Sequence, residues 1–444
     1  MADTTAASGL TVQQWDDAFF TEYVRASRFS RYMGGHENAV IHVKENLTKQ
    51  QGDRITFALV HDLAGTGTSG NGQVMMLVDG VNGYFWDGAS LTAITDADYP
   101  DTASHVVFLG GYFVFDNPDT AGQFIVSTLY ATDPADMVST LDFATAESDP
   151  DGLVAIGAAR GHLWLLGRHT TEVWYQSGAE FPFDPVGGGR MERGCLAVRS
   201  VARAGDDLLW LASDRNGRVQ VVQTRGFGAE PVSTPAIEHA IESYATVADA
   251  TAYAYHQAGH TFYVLTFPSA GATWVYDLST GLWHRRAGWS APNWTRHRGD
   301  TYVRFGMKHL VGDHETGKVY ALDLATYTDD GTLIRRERTA PQFHAEGRPL
   351  FFSRLALDME TGVGDTATPA PKLMLDWSDD GGHTWRADRI GHLDGGAGAT
   401  GEYGRRVTFH RLGCARGRTF RVTITDSVKV AIMGASVEVT GGMS

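Results

Sequence analysis

From residue 74 onward the chain alternates short apolar runs with Gly- and Asp-containing turns, and the cadence persists to the C-terminus. The run 74–78 is followed by Asp79-Gly80, then by 83–86 and Asp87-Gly88. Residues 106–109 turn at Gly110-Gly111 into 112–115, and 153–156 turn at Arg160-Gly161 into 162–166, with 172–175 next. Further runs lie at 208–211, 218–222, 253–255, 261–267 and 273–277. Val275-Tyr276-Asp277-Leu278 is echoed by Val319-Tyr320-Ala321-Leu322-Asp323. Strand, Gly turn, strand, Asp turn is what sheets of antiparallel hairpins require. The pattern predicts a mainly β fold: a β-propeller-like body of antiparallel blades over 73–330, with further β blades or hairpins over 331–444. A sandwich or jelly-roll is the competing arrangement. One helix is expected in this half, at 235–244, with Glu238, His239 and Glu242 on its polar side.

The first seventy residues have a different texture. Between 11 and 31, Trp15, Ala18, Phe19, Tyr23 and Val24 recur at close to helical spacing, with Arg25 and Arg28 late in the segment. A strand-like run at 55–60 follows, then a Gly/Thr/Ser tract at 65–72. The expected organisation is a short helical N-terminal arm at 1–64, a Gly-rich junction at 65–72, and the two β regions.

Composition narrows the function. Hydrophobic residues make up 43% of the 444 and charged residues 20%, enough for a packed core. Gly stands at 52 against Pro at 14, which suits many tight turns. Lys+Arg 37 against Asp+Glu 52 leaves a net charge of −15, so a general nucleic-acid binder is disfavoured. Cys195 and Cys414 are the only cysteines and make neither a zinc module nor a disulfide framework. No signal peptide or membrane-length apolar window is visible, so a soluble product of a reducing cytoplasm is expected, with no membrane insertion.

Few motifs carry chemistry. Gly65-Thr66-Gly67-Thr68-Ser69-Gly70 spells GxGxxG, but a strand-like run follows it where a dinucleotide site needs a helix, so it reads as linker. No HExxH, GxSxG, Walker A or EF-hand spacing appears, and neither catalytic residues, a metal nor a cofactor is expected. Acids at 116–119 and 133–136 read as turn acids rather than calcium ligands. Ser378, Asp380, Gly382, Thr384 and Trp385 fit the Asp-box of sialidases and other propeller proteins, in which the carboxylate accepts from turn N–H groups. That motif keeps a glycan-binding or glycan-hydrolysing propeller as an alternative. Two basic clusters stand out: Arg285, Arg286, Trp289, Trp294, Arg296, Arg298 and Arg304, then Arg335, Arg336 and Arg338. In an acidic chain they are candidate subunit or adaptor contacts, weighed against solvated loops with aromatic hairpin packing.

Several segments of the β half resemble the packaged-DNA stabilisation, or tail nozzle, proteins of short-tailed bacteriophages. They are Asp149-Pro150-Asp151-Gly152-Leu153, Thr171-Glu172-Val173-Trp174-Tyr175, Ser233-Thr234-Pro235-Ala236-Ile237-Glu238 and Trp274-Val275-Tyr276-Asp277 with Trp283. The hairpin at 373–385 and the closing strands at 420–439 fit as well. The resemblance implies a non-enzymatic virion protein of the tail, assembled in the host cytoplasm. It also implies six copies ringed below the head-tail adaptor proteins, with distal plug, needle or fibre proteins beyond. Packaged duplex DNA would pass through the ring without sequence-specific binding. A second resemblance covers 9–72, where Phe20-Thr21-Glu22-Tyr23-Val24-Arg25, Val43-Lys44-Glu45-Asn46-Leu47-Thr48 and Gly52-Asp53-Arg54-Ile55-Thr56-Phe57 are similar to the N-terminal arm of a phage major capsid protein. The chain then reads as a junction of two virion proteins near 65–72, with a capsid-associated role for 9–72 as a further alternative.

Overall fold

In the computed structural model the described residues are 33–34, 41–42, 75–86, 90–100, 102–146, 151–393, 401 and 403–442. The chain divides into two compact units, 1–61 and 62–444. In the first, Met33–Gly34 pairs in parallel with Ile41–His42. The expected helical arm, the strand at 55–60 and the Gly-rich junction lie outside the described residues.

Among its described residues the second unit has, before its C-terminal region, six antiparallel sheets of three to five strands, here called blades, with the two-stranded hairpin Ala287–Ser290/Asn293–Arg296 between the fifth and sixth. Blade 1 is Met75–Val78, Gly83–Trp86 and Leu91–Ala93. Blade 2 is Val106–Leu109, Tyr112–Asp116, Gln123–Ser127 and Val138–Thr145. Blade 3 is Leu153–Ala159, His162–Gly167, Thr171–Gln176 and Phe183–Met191. In blade 4, Gly194–Cys195 and Ala202–Ala204 both pair with Asp207–Ser213, followed by Val219–Arg225 and Gly228–Pro231. Blade 5 is Thr251–Gln257, His260–Phe267, Ala272–Asp277 and Leu282–Arg285. Blade 6 is Gly299–Phe305, Lys308–Asp313 and Val319–Ala321.

The side-chain period of two explains why these strands read as unbroken apolar runs. Successive residues of a strand point to opposite faces, and both faces of an inner blade are covered by neighbouring blades. In blade 3, Leu163 and Leu165 pack with Val114 and Phe124 of blade 2, while Trp164 and Leu166 pack with Leu208 and Trp210 of blade 4. In blade 5, Tyr263 and Leu265 join Leu209 and Leu211 of blade 4, and Val264 joins Val311 of blade 6. Each such side chain contributes about 1.5–3 kcal/mol on burial. The expected helix forms at Pro235–Glu242, with Pro at its first turn and Ile237 and Ile241, one helical turn apart, buried in the core between blades 4 and 5.

The C-terminal region packs as two facing sheets, where the sequence left further blades or hairpins open. One orders Arg336–Thr339, Gly417–Ile424, Lys372–Ser378 and Arg386–His392, with Phe343–His344 beside the second of these. The other orders Val407–Ala415, Leu350–Met359 and Ile432–Gly441. Leu355, Leu357 and Phe409 from one sheet meet Leu373, Leu375 and Phe420 from the other in a single core. No helix among the described residues is long and apolar enough to cross a membrane.

Candidate functional site

The Asp-box caps the hairpin between Lys372–Ser378 and Arg386–His392, in the sandwich and not in a blade. Ser378 Oγ donates to Asp380 Oδ1 (2.7 Å) and accepts from the Gly382 N–H (2.8 Å), while Asp380 Oδ1 accepts from the Thr384 N–H (2.9 Å). Thr384 Oγ1 donates to the other oxygen. Gly382 sits at φ 99°, where a side chain would be strained. These bonds, first among them those from Thr384, hold the Asp380 carboxyl far below the usual range. The carboxylate is therefore consumed in building its own turn.

Trp385 of the same motif lies under the Arg421 guanidinium, 3.8 Å from its ring centre. Arg421 donates through Nε to Asp376 (3.1 Å) and approaches Glu337 (3.8 Å), which also pairs with Arg335 (3.2 Å). Arg335 in turn stacks over Trp289 (4.6 Å) and Trp294 (5.7 Å), which face each other across the hairpin Ala287–Ser290/Asn293–Arg296. Trp289, Trp294 and Arg335 thus belong to one relay that ties this hairpin to the sandwich.

The remaining basic residues divide between internal and exposed positions. Arg296 pairs with Asp300. Arg298 lies among Asp313 (3.5 Å), Asp329 (3.8 Å) and Asp330 (3.9 Å). Arg336 donates to the carbonyls of Asp426 (3.0 Å) and Tyr327 (3.3 Å). Arg286 lies over Tyr255 and Phe262. Arg285, Arg304 and Arg338 are exposed, Arg285 over Trp274 and Arg304 donating to the Gly306 carbonyl.

Among the acids read as turn residues, Asp133 accepts from the Ala135 N–H (2.9 Å) in a local turn. Asp116 is different: it is buried and accepts from the backbone N–H groups of Ser104 and His105. Among the described residues no group of three or more metal-ligating side chains comes together. Burial pushes the Cys195 thiol up to about 12.

One repeated device escaped the sequence reading. Asp277, Asp313 and Asp323 each accept from the N–H two residues on and from the Thr hydroxyl three residues on: Ser279 and Thr280, Glu315 and Thr316, Ala325 and Thr326. The Asp-x-x-Thr spacing common to all three was the available signal.

Stacked blades followed by a sandwich, with most arginines of the two basic clusters held within the chain, define a structural β protein. A family model described as bacteriophage P22 Gp10, beta-propeller, matches residues 35–327, and one described as bacteriophage P22 Gp10, beta-sandwich, matches 335–440. The chain belongs to the bacteriophage P22 Gp10 family of phage structural proteins. The first match begins inside the segment that resembles a capsid arm, and neither match supports the glycan reading.

No curated protein matches the chain. Similar solved structures include the extracellular domain of BT4673 from B. thetaiotaomicron, at 10% identity over 62% of this chain and 34% of that one (TM-score 0.37). Another is the N-terminal domain of Nup159, at 9% over 57% and 73% (0.36). A third is Hsv2 of Kluyvelomyces marxianus, at 9% over 54% and 69% (0.32). The chain spans about a third of the first of these. At such scores the likeness bears on neither fold nor function.

Proposed function

We propose that this chain is a subunit of the tail nozzle, below the head-tail adaptor, where it retains packaged DNA and helps form the channel for its ejection. The observation that carries the reading is the agreement of the two family matches with two sheet systems of the corresponding kinds, blades up to Ala321 and a sandwich from Arg336. In this reading copies assemble into a ring, six by the family resemblance, with adaptor proteins above and plug, needle or fibre proteins beyond. The contacts to them fall to the exposed Arg285, Arg304 and Arg338 and to the half-exposed rims of Trp289 and Trp294. The chain turns over no sialoside, peptide or phosphoester. That is supported by the Asp-box carboxylate being engaged in its own turn and by the inert, buried Cys195 thiol.

Particles assembled without this chain should fill their heads and then lose the DNA during purification, and supplying the chain in trans should restore retention. Particles that lack it and still keep their full DNA content would overturn the reading.

A further inference from the structure

Blades 2 to 6 carry unlike turns at their two ends. Each is antiparallel in chain order, so its first–second and third–fourth turns share one end and its second–third turn lies at the other. Contacts between neighbours bring ends of the first kind together. Gln176, closing the third strand of blade 3, donates to the Gly110 carbonyl in the first turn of blade 2 (3.1 Å). His162, beside the first turn of blade 3, meets Phe227 in the third–fourth turn of blade 4, with 5.0 Å between ring centres. Gln257, at the first turn of blade 5, donates to the Leu322 carbonyl just past the last strand of blade 6 (3.2 Å). At this end each of the five blades exposes a large apolar or aromatic side chain: Tyr130, Tyr175, Phe227, Leu282 and Met307, from 41% at Tyr175 to 89% at Met307. Tyr130 does so at φ 53°, a costly conformation for a bulky residue. The second–third turns, at 117–122, 168–170, 214–218, 268–271 and 314–318, contain no aromatic residue and no Leu, Ile, Val or Met. Single exposed apolar residues are ordinary, but one on every blade at one end and none in the turns at the other marks an interaction surface.

We propose that this end of the blades docks a different protein of the particle, one that presents apolar side chains with lysines or arginines set over blades 2 and 3. The charge on the end selects the occupant. Asp133, Asp136 and Glu180 stand exposed in the third–fourth turns of blades 2 and 3, while Arg160 in the first turn of blade 3 is already paired with Asp207 (2.7 Å). Across the end, Arg304 and Lys308 flank the Met307 turn of blade 6. Aromatic anchors with charges of one sign on one side and the other sign opposite give a partner both affinity and a fixed orientation. Anionic lipid head groups would be repelled by the acidic side, which favours a protein over a membrane. The docking rests on the tail reading given above and specifies which end of the blades meets a neighbour of another kind.

The test is photocrosslinking in assembled particles. Tyr130→p-benzoylphenylalanine and Phe227→p-benzoylphenylalanine, each in the full chain supplied in trans, should on irradiation join the same second virion protein, the Tyr130 adduct through a peptide that contains lysine or arginine. The same replacement at Asn216, in a second–third turn, should not reach that protein. Tyr130→Asp and Phe227→Asp, both at exposed positions, should keep the far-ultraviolet circular dichroism of wild type and lower the recovery of chain and partner in one particle at least tenfold. Adducts to a second copy, to another part of the same chain or to lipid would each overturn the docking, as would undiminished recovery with the Asp variants. A chain present in particles that retain DNA but giving no adduct would overturn the docking alone. A wild-type chain absent from the particle would overturn the tail reading and the docking with it.

Discussion

Asp116 accepts four hydrogen bonds from two consecutive residues: the Ser104 N–H (2.8 Å) and Oγ (2.6 Å), and the His105 N–H (2.7 Å) and Nδ1 (3.2 Å). Burial alone would raise its pKa, but the bonds from His105 and Ser104 outweigh it and hold the carboxyl below its ordinary 3.8. A depressed folded-state pKa means the contribution is fully present above the unfolded value and is lost as pH falls through the lower folded one. Asp116→Ala should therefore destabilise at neutral pH by about 1–3 kcal/mol in all, because water can reach the partly buried Ser104 and His105 donors it leaves behind. In urea melts the gap between variant and wild type should narrow below about pH 3.8; a gap unchanged between pH 7 and strong acid would contradict this account. In the sequence Asp116 looks like its turn-forming neighbours, because nothing local reveals partners eleven and twelve positions upstream. The arginines were only half legible for a related reason. Their clustering is visible, but Asp300, Asp313, Asp329 and Asp330, which take up Arg296 and Arg298, are also nearby in sequence, and spacing alone does not say which charges meet.

At the scale of elements, the strands were legible because both-faced burial leaves unbroken apolar runs between Gly turns, as in Leu163-Trp164-Leu165-Leu166. The blades of 73–330 were legible too, but over 331–444 blade or sandwich was not, since hairpins of one local pattern serve both. The decision rests on pairings such as Arg336–Thr339 with Gly417–Ile424, set by the packing of distant segments. The relay from Trp289 and Trp294 through Arg335 and Glu337 to Arg421 was half visible, as aromatics and arginines without their order in space. Arg335→Ala should free the Ala287–Ser290/Asn293–Arg296 hairpin and raise its amide exchange several-fold. The loss should be about 1 kcal/mol, a partly exposed cation–π contact together with a screened ion pair. Arg335→Lys should not restore protection, because an ammonium lacks the planar face that stacks on indole. Full protection in the Lys variant would show that charge alone holds the hairpin.

For the whole molecule the excess of acids over bases matters most in relation to DNA. Each phosphate neutralised by a fixed cation releases counterions and binds the duplex more tightly, so a wall through which DNA must move gains from having few free cations. The chain carries 37 Lys and Arg against 52 Asp and Glu, and Arg296, Arg298, Arg335, Arg418 and Arg421 are already held in ion pairs within it. Duplex affinity should accordingly be no tighter than the non-specific range, a Kd of roughly 10⁻⁶ M or weaker at physiological salt, and should fall further as salt rises. Replacing the exposed Arg285, Arg304 and Arg338 by Ala together should leave the melting temperature within about 2 °C of wild type, since exposed substitutions stay within about 0.5 kcal/mol. The triple variant should weaken assembly or docking to the adaptor while duplex affinity, read by fluorescence anisotropy, changes little. The opposite pattern, normal assembly with duplex affinity lost, would place these arginines on the DNA path and overturn their assignment to protein contacts.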